Sequence, residues 1–234
     1  MTEQEQYKTM TFRSEQEQLK PYILEVEEML PQLELDGSRL HEPVQVKRLP
    51  KPWRVAGCGN YAGVFLHPDY PGFVVKVYAP GKPGWADEVE VYKRLGSHPA
   101  YSECYHARAG YLVLRRLSGM TLYNCIRKGV PIPQQVIRDI DKALAYAVSR
   151  GLSPHDVHGK NVMMKDGRGI VVDVSDFLEQ DPCEMWEDLK KAYNRFYFPW
   201  LRRIPVPDKI LNLVRKGYRA WRKWKRRFRQ KYSH

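Results

Sequence analysis

Three side chains that carry oxygen lie in one short segment of the sequence, GLSPHDVHGKNVMMKDGRGIVVDVSDF. They are Asp156, Asn161 and Asp173, and apolar stretches with the character of strands separate the last two. Carboxylate and amide groups are costly to bury without partners, but their oxygens are the ligands that Mg²⁺ prefers. The segment therefore indicates a site for a hard cation and for the phosphate groups that it binds. Asp176 is a second possible ligand, and we favour Asp173 because it ends the apolar stretch IVV, whereas Asp176 falls in the turn that follows.

A lysine lies inside an apolar stretch earlier in the chain, in the sequence FVVKVY. Lys76 must either point to solvent or meet an anion, because a buried ammonium group without a partner is unfavourable. The next segment, GWADEVEVYKRLGSHPAY, has helical spacing, and Glu88 lies on the face marked by apolar residues three, four and seven positions later. Glu90 lies on another face. We therefore expect Glu88 to be the partner of Lys76.

Two glycines precede this lysine, in the sequence GCGNYAGVF. Gly57 and Gly59 follow one predicted strand and lead into another, which distinguishes them from the loop before a helix in dinucleotide-binding folds. Without a Cβ atom at these positions, main-chain N–H groups can lie over phosphate groups. A plain β-hairpin without a ligand fits the same residues, so the glycines alone do not decide between the two interpretations.

The elements that would position these residues fall into two groups along the chain. Residues 14–31 have the apolar spacing of an amphipathic helix, and the segments up to residue 80 alternate with the period of strands. Helices dominate after the strand GYLVLRRL, with a hairpin of NVMM and GIVVDV between them. This order predicts an α+β fold of two lobes, a small β-rich N-terminal lobe with one main helix and a reduced, mainly helical C-terminal lobe. The predicted units are an N-terminal helical extension (1–34), the N-terminal lobe with the hinge (35–117), the reduced C-terminal lobe (118–204) and a basic, aromatic C-terminal helix (205–234).

These features occur in a chain order that resembles the protein-kinase-like superfamily, over roughly residues 47–195. Within it, the chain resembles the small atypical kinases, RIO-like enzymes and small bacterial serine/threonine kinases. GCGNYAGV is similar to the glycine loop that covers phosphates, with Ala62 at the place of the third glycine. YLVLRRLSGMTL is similar to the hinge, with Leu114 as gatekeeper and the main chain of Arg115 and Leu117 facing adenine. The nucleotide-binding residues that this resemblance implies are Gly57, Cys58, Gly59, Val64, Lys76, Leu114, Arg115, Leu117 and Asn161.

The resemblance also implies a role for each charged residue. Lys76, held by Glu88, would contact the α- and β-phosphates of ATP. Asn161 and Asp173 would bind Mg²⁺, and Asp156 would orient the attacking hydroxyl group and accept its proton. The implied catalytic residues are therefore Asp156, Lys76 and Glu88, and the implied cofactors are ATP and Mg²⁺.

The chain departs from the kinase pattern around Asp156. The loop reads SPHDVHGKN, so the arginine of HRD is absent, and His158 resembles the histidine of D-x-H-x-x-N in aminoglycoside phosphotransferases. DVS replaces DFG, as in RIO kinases, and little room for an activation segment remains between Asp173 and the helix near Glu184. We expect a minimal ATP- and Mg²⁺-dependent serine/threonine protein kinase. Two alternatives stay open: a kinase of small molecules, similar to aminoglycoside phosphotransferases, and a nucleotide-binding pseudokinase.

The positive charge of the chain is concentrated at its C-terminal end. The 234 residues carry a net charge of +12, and residues 209–234 contain eleven basic residues and no acidic one. Apolar and aromatic residues recur among them at helical spacing. Three interpretations stay open: the helix packs its aromatic residues on the larger lobe, contacts an anionic membrane surface, or contacts a nucleic acid.

The remaining composition gives weaker signals. The four cysteines form no CxxC pair, which is typical of free thiols in a reducing compartment. The N-terminal residues lack the apolar segment of a secretion signal, and no stretch approaches the roughly 18 apolar residues of a membrane-spanning helix. These observations predict a cytoplasmic protein. The resemblance to kinases implies that its partner is a phosphate acceptor, either a protein serine or threonine or a small hydroxyl-bearing molecule. They do not indicate an oligomeric state.

Overall fold

The first half of the chain folds around an antiparallel sheet of five strands. The computed structural model describes residues 17–39, 42–181, 183–198 and 201–231. The strands of this half are β1 (Glu34–Asp36), β2 (Gln45–Arg48), β3 (Arg54–Cys58), β4 (Ala62–Leu66), β5 (Phe73–Tyr78), β6 (Cys104–Arg108) and β7 (Tyr111–Arg115). β1 pairs with β2, and the other five form the sheet in the order β3-β4-β5-β7-β6.

Side chains along the central strands point alternately to the two faces of the sheet, and a different helix packs on each face. The odd-numbered residues of β5, from Phe73 to Val77, are buried in a cluster with the helix α1 (17–29). The even-numbered residues, Lys76 among them, point to the opposite face, where the helix α2 (Trp85–Leu95) packs. The period of the strand therefore directs Lys76 toward α2.

The N-terminal helix α1 packs its apolar side on the face of this sheet that is opposite to α2. The ring of Tyr22 stacks on that of Phe73 with 5.1 Å between centroids. At the edge, the carboxylate of Glu27 pairs with Arg108. Residues 1–16 of the predicted N-terminal extension lie outside the described residues.

The second half of the chain is mainly helical and contains a small sheet. Its elements are β8 (Met120–Thr121), α3 (Leu122–Lys128), α4 (Gln134–Ser149), β9 (Val162–Lys165), β10 (Arg168–Val171), α5 (Met185–Phe196) and α6 (Asp208–Lys231). The order in the small sheet is β10-β9-β8, and β9 and β10 form the hairpin expected from the sequence.

A buried carboxylate holds this hairpin against α4. Asp139 Oδ2 accepts hydrogen bonds from Arg168 Nε (2.7 Å) and from the main-chain nitrogen of Gly169 (3.1 Å). The bond from Arg168 is the main cause that lowers the pKa of Asp139 to about 2. A Cβ atom at Gly169 would lie 2.5 Å from the carbonyl oxygen of Val136, so only glycine permits this approach. Asp139 thereby fixes the hairpin whose two ends carry the predicted metal ligands.

The α+β class predicted from the sequence is confirmed, with a β-sheet part followed by a mainly helical part. The division of the chain after residues 34, 117 and 204 remains a prediction. Across the described ranges, no helix combines the length and the apolar character that crossing a bilayer requires.

Candidate active site

A cavity of about 790 Å³ opens between the five-stranded sheet and the loops around β9 and β10. Its volume is in the range of cavities that hold cofactors and other small ligands. Asp156 is the one residue of the predicted site that does not line it. The predicted site residues that line the cavity are Gly57, Cys58, Gly59, Val64, Lys76, Glu88, Leu114, Arg115, Leu117, Asn161 and Asp173.

Lys76 joins the two halves of the cavity. Its Nζ lies 2.8 Å from Glu88 Oε1 on α2 and 3.4 Å from Asp173 Oδ1 beyond the end of β10. Burial disfavours the ammonium form, but the charges of Asp173 and Glu88 outweigh it and raise the pKa of Lys76 above its ordinary value. The expected pairing of Lys76 with Glu88 is confirmed, and Glu90 pairs with Arg94 instead. The site therefore has a fixed positive charge beside the cavity.

Asp173 is held through one of its two carboxylate oxygens. In addition to Lys76, Oδ1 accepts hydrogen bonds from Ser175 Oγ (3.0 Å) and from the main-chain nitrogen of Ser175 (3.3 Å). Burial would raise the pKa of Asp173, but the charge of Lys76 and the bonds from Ser175 outweigh it and lower this pKa. Because these contacts fall on Oδ1, Oδ2 remains for a cation. Asp176 does not line the cavity, and its burial and the charges of Asp173 and Asp156 raise its pKa, which favours Asp173 as the ligand.

The loop before β9 positions Asp156 and Asn161 relative to each other. Asn161 Nδ2 donates a hydrogen bond to the main-chain oxygen of Asp156 (3.1 Å), which leaves the side-chain oxygen of Asn161 as its ligand atom. Asp156 has a φ of 52°, in the left-handed region that residues other than glycine rarely adopt. Such strain is often found where a side chain must be held in one direction for function.

His158 lies beside Asp156 and lines the cavity. Its Nε2 lies 3.9 Å from Asp156 Oδ2. Its Nδ1 is buried and meets no hydrogen-bond partner among the residues that the structure describes.

Tyr123 links the same loop to the C-terminal helix. Its main-chain nitrogen donates to the oxygen of Gly159 (2.7 Å), and its hydroxyl group donates to Asp208 Oδ1 (2.9 Å). Lys160 Nζ lies 4.7 Å from the centre of the tyrosine ring. The first residue of α6 is therefore two hydrogen bonds away from the loop that carries Asp156 and Asn161.

The hairpin of β3 and β4 covers one side of the cavity. Its turn is closed by a hydrogen bond from the main-chain nitrogen of Gly59 to the oxygen of Ala62 (2.9 Å). A Cβ atom placed on Gly57 would meet nothing within 4 Å, and the backbone there is not left-handed. Neither packing nor backbone conformation therefore requires glycine at this position, and the open space belongs to the cavity. Between the glycines, Cys58 is a free thiol whose pKa is raised by burial.

The segment after β7 uses some of its main-chain groups within the protein. The nitrogen of Arg115 donates to the oxygen of Glu103 (2.8 Å), and the oxygen of Arg115 accepts a bond from Ser102 Oγ (2.7 Å). The N–H of Arg115 is therefore not available to a ligand. Leu117 makes no such main-chain bond within the described ranges. Its N–H and C=O groups are therefore better placed than those of Arg115 to bond to the edge of a planar ring.

The sequence is similar to a protein of Bacillus subtilis (strain 168) named "Putative serine/threonine-protein kinase YrzF". The two are 30% identical over 168 residues, which cover 69% of this chain and 77% of the relative. The chain belongs to the protein-kinase-like superfamily. No model of a protein family matches the sequence.

Two solved kinase structures resemble this kinase-like chain over shorter stretches. One is Rad53 1-466 in complex with AMP-PNP, with a TM-score of 0.43 and 23% identity, covering 51% of this chain and 36% of that chain. The other is a point mutant of the PknI kinase domain of Mycobacterium tuberculosis, with a TM-score of 0.42 and 23% identity, covering 55% of this chain and 59% of that chain. The chain thus spans about a third of the first and less than two thirds of the second.

Two side chains that position the charged residues of this kinase-like chain were not expected from the sequence. Tyr78 donates a hydrogen bond from its hydroxyl group to Glu88 Oε2, and burial together with Glu88 raises the pKa of Tyr78. Ser175 supplies the two bonds to Asp173 described above. Tyr78 could have been found from its place two residues after Lys76, on the same strand face. The spacing of Asp173 and Ser175 is that of a common turn in which an aspartate accepts bonds from the second residue after it.

The donor atoms around Asp173 fit Mg²⁺ in this kinase-like chain. Within the described ranges, no group of three or more His, Cys, Asp or Glu residues could hold a metal ion. Mg²⁺ is usually held by one or two carboxylates together with phosphate oxygens and water. Oδ2 of Asp173 and the side-chain oxygen of Asn161 are hard oxygen atoms of two residues that line the cavity, and they would suit a cation that is bound together with a phosphate compound.

Proposed function

We propose that this chain transfers the γ-phosphoryl group of ATP to a hydroxyl group in the presence of Mg²⁺. The acceptor in this proposal is a serine or threonine of a protein. The chain would be a minimal kinase, similar to RIO-like enzymes and small bacterial serine/threonine kinases. The observation that carries the proposal is Lys76, which bridges Glu88 and Asp173 beside the cavity. A cation held by carboxylates from two parts of the chain, next to hard ligands for a metal, is what phosphoryl transfer requires.

ATP would bind with its phosphates under the hairpin of β3 and β4. The open space at Gly57 allows main-chain N–H groups to approach the phosphates closely. Val64 and Leu114 offer apolar contacts to the adenine ring, and the main chain of Leu117 offers hydrogen bonds to its edge. Lys76 would contact the phosphates while Glu88 keeps its side chain in place.

Asp173, through Oδ2, and Asn161, through its side-chain oxygen, are the residues that would hold Mg²⁺. Bound there, the ion would neutralise charge on the phosphates and on the oxygen that leaves. Ser175 keeps Asp173 oriented, and Lys76 stays on the other oxygen of the same carboxylate. Asp173 would therefore bind the metal through Oδ2 and position Lys76, which contacts the phosphates, through Oδ1.

Asp156 would orient the attacking hydroxyl group and accept its proton. As the hydroxyl oxygen bonds to the γ-phosphorus, the bond between this phosphorus and the bridging oxygen breaks. The proton passes to the carboxylate of Asp156, and ADP leaves with the electron pair of the broken bond. Lys76 faces the charge that develops on the phosphates, so positioning and electrostatic stabilisation supply most of the rate enhancement.

The acceptor is the least constrained part of the proposal. The name of the Bacillus subtilis relative supports serine and threonine residues of proteins. A small hydroxyl-bearing molecule is the second choice, and His158, which lines the cavity beside Asp156, supports it. The short connection of residues 174–184 between Asp173 and α5 also supports a small acceptor, because it offers little chain to hold a peptide.

A third possibility is a pseudokinase that binds nucleotide without transferring phosphate. The absent arginine before Asp156, and the position of Asp156 outside the cavity lining, favour it. In this version the basic C-terminal helix would contact a nucleic acid or a membrane, and nucleotide would act as a signal.

The test is phosphate transfer by the full chain from γ-labelled ATP with Mg²⁺ in a cell lysate. Wild-type protein should transfer label, and both Asp156→Asn and Asp173→Asn should lose transfer. Asp166→Asn is the matched control, because Asp166 also has a left-handed backbone (φ 50°) but lies in the exposed β9–β10 turn. It should keep wild-type transfer.

The three possibilities separate by where the label goes. Label in serine or threonine of macromolecules supports the protein kinase, and label in small molecules supports the second choice. A rise in melting temperature with Mg-ATP, without transfer to any acceptor, identifies the pseudokinase. Full activity of Asp173→Asn, or the absence of any response to ATP, would remove the basis of the proposal.

A further inference from the structure

The contacts that dock α6 on the rest of the protein fall on one side of this helix. Asp208 accepts the hydrogen bond from Tyr123 and lies 3.5 Å from Arg127 Nη1. Ten residues later, the hydroxyl group of Tyr218 donates to Asp188 Oδ2 (2.9 Å) on α5. Leu211, one turn after Asp208 on the same side, is partly buried. These contacts fix which side of α6 faces the protein.

A different side of α6 presents large apolar groups to solvent. Ile210, Leu213, Val214, Trp221 and Trp224 are all exposed, with Leu213 exposed by 71% and Trp224 by 59%. Their spacing of three, four or seven residues places them along one stripe of a helix. Five large apolar side chains exposed on one side of a helix are uncommon on a protein surface that only meets water. We call these five residues the apolar stripe of α6.

Strong positive charge accompanies the apolar stripe. Residues 209–234 contain eleven basic residues and no acidic one. Among the described side chains of α6, Lys209 and Lys216 are exposed and lie four residues before and three residues after Leu213, beside the stripe. The helix therefore offers both apolar surface and cations to the same environment.

We propose that α6 docks on the surface of an anionic lipid bilayer. The apolar stripe would lie at the boundary between headgroups and acyl chains, and the basic side chains would meet lipid phosphates. Tryptophan is enriched at this boundary, since its ring has an apolar body and a polar N–H group. An anionic bilayer would thus account for both the apolar stripe and the positive charge of α6.

Other occupants leave one of these two features unexplained. A nucleic acid would attract the basic side chains, but it would leave the apolar stripe in water. A second copy of the chain would cover the stripe, but it would bring two strongly basic helices together at a cost in repulsion. The bilayer is the occupant that uses both. The proposal does not depend on phosphoryl transfer, because it concerns a surface outside the cavity.

Sedimentation of the full chain with vesicles tests the proposal. The vesicles are phosphatidylcholine alone or phosphatidylcholine with about 30% phosphatidylglycerol. Leu213→Glu places a negative charge on the apolar stripe, at an exposed position where folding should tolerate it. Asn212→Glu is the matched control, because it makes the same change in charge at the neighbouring exposed residue, off the stripe.

Wild-type protein should bind the anionic vesicles and not the neutral ones, and the tryptophan emission should shift to shorter wavelength. Leu213→Glu should weaken binding at least about tenfold, and Asn212→Glu should weaken it far less, because burial of the stripe supplies part of the affinity. Equal losses in the two variants would mean that charge alone binds, and the proposal would fail. Failure would also follow from tighter binding to RNA that Leu213→Glu does not change, or from a dimer that Leu213→Glu dissociates without any binding to vesicles.

Discussion

The hydroxyl group of Tyr78 donates to Glu88 Oε2, the carboxylate oxygen that Lys76 does not contact. Glu88 is 1% exposed, so both of its oxygens depend on partners within the protein. Tyr78→Phe would leave Oε2 buried without a partner, and it should lower the free energy of unfolding by about 1–3 kcal/mol. Urea denaturation measures this change.

Tyr22→Phe is the matched control for the change at Tyr78. The hydroxyl group of Tyr22 is also buried, but it meets no hydrogen-bond partner among the described residues. Its removal should leave the protein as stable as before, or more stable. Equal destabilisation by the two variants would show that the bond to Glu88 contributes nothing of its own.

Lys76→Met separates stability from activity. Without Lys76, the buried carboxylate of Glu88 loses its cation, and the free energy of unfolding should fall by about 3 kcal/mol. The double variant Lys76→Met/Glu88→Gln should recover part of this loss, because it also removes the uncompensated charge. Both variants should lack phosphate transfer. If the double variant is no more stable than Lys76→Met, the charge of Glu88 is not the source of the loss.

Gly57→Val tests whether the open space over the cavity belongs to a ligand. A Cβ atom there meets nothing within 4 Å, so stability should change by no more than about 0.5 kcal/mol. Binding of Mg-ATP, followed by calorimetry, should nevertheless weaken strongly because the side chain would occupy the place of the phosphates. Gly72→Val is the control, since it also meets nothing within 4 Å but does not line the cavity. Unchanged affinity in Gly57→Val would argue against nucleotide under this hairpin.

Asp139 should make stability depend on pH in the acid range. Its pKa is lowered from 3.8 to about 2 in the folded chain, so its contribution is complete above pH 3.8 and is lost as the pH falls toward 2. Asp139→Asn should lower the free energy of unfolding at pH 7 by on the order of 2 kcal/mol. The difference from wild type should shrink on acidification. A difference that is constant from pH 6 to pH 2 would mean that the charge of Asp139 is not what holds the hairpin.

Asp173→Asn should abolish the effect of Mg²⁺ on nucleotide binding. In wild-type protein, the rise in melting temperature with ATP should be larger with Mg²⁺ than with a chelator. In Asp173→Asn the two should be equal, because one hard ligand is lost. The melting temperature without ligand should change little, since Lys76 keeps its bond to Glu88. A variant that still responds to Mg²⁺ would move the ion away from Asp173.

The period of the strands and helices made much of the site predictable. Alternation along β5 directs Lys76 to the face of α2, and helical spacing puts Glu88 on the buried side of α2, so their meeting follows from local pattern. The hairpin of β9 and β10 was likewise marked by its turn residues. These features depend on neighbours in sequence, which a single chain reveals.

Contacts between distant segments were not predictable in this way. The resemblance to kinases implies that the main chain of Arg115 faces adenine, but in the fold its N–H donates to Glu103 and its oxygen accepts a bond from Ser102. Helical spacing places Val136, Ile140, Leu144 and Val148 on one face of α4. Val148 is 59% exposed, because the small side chain of Ala147 forms the buried face instead.

The C-terminal helix α6 also depends on contacts between distant segments. Its periodicity indicates two faces, but the side that turns inward is decided by partners far away in the chain, at Tyr123 and Asp188. From the sequence, a membrane and a nucleic acid are equally acceptable partners of α6. The exposure of the apolar stripe in the structure favours the membrane. The choice between partners therefore required tertiary contacts.

Tyr123 touches both the start of α6 and the loop of Asp156 and Asn161, so the two regions cannot shift independently. A displacement of Asp208 acts on the hydroxyl group of Tyr123, whose main-chain nitrogen donates to the oxygen of Gly159. If α6 is anchored on a bilayer as proposed, Tyr123 links that anchorage to the loop that would orient the phosphate acceptor.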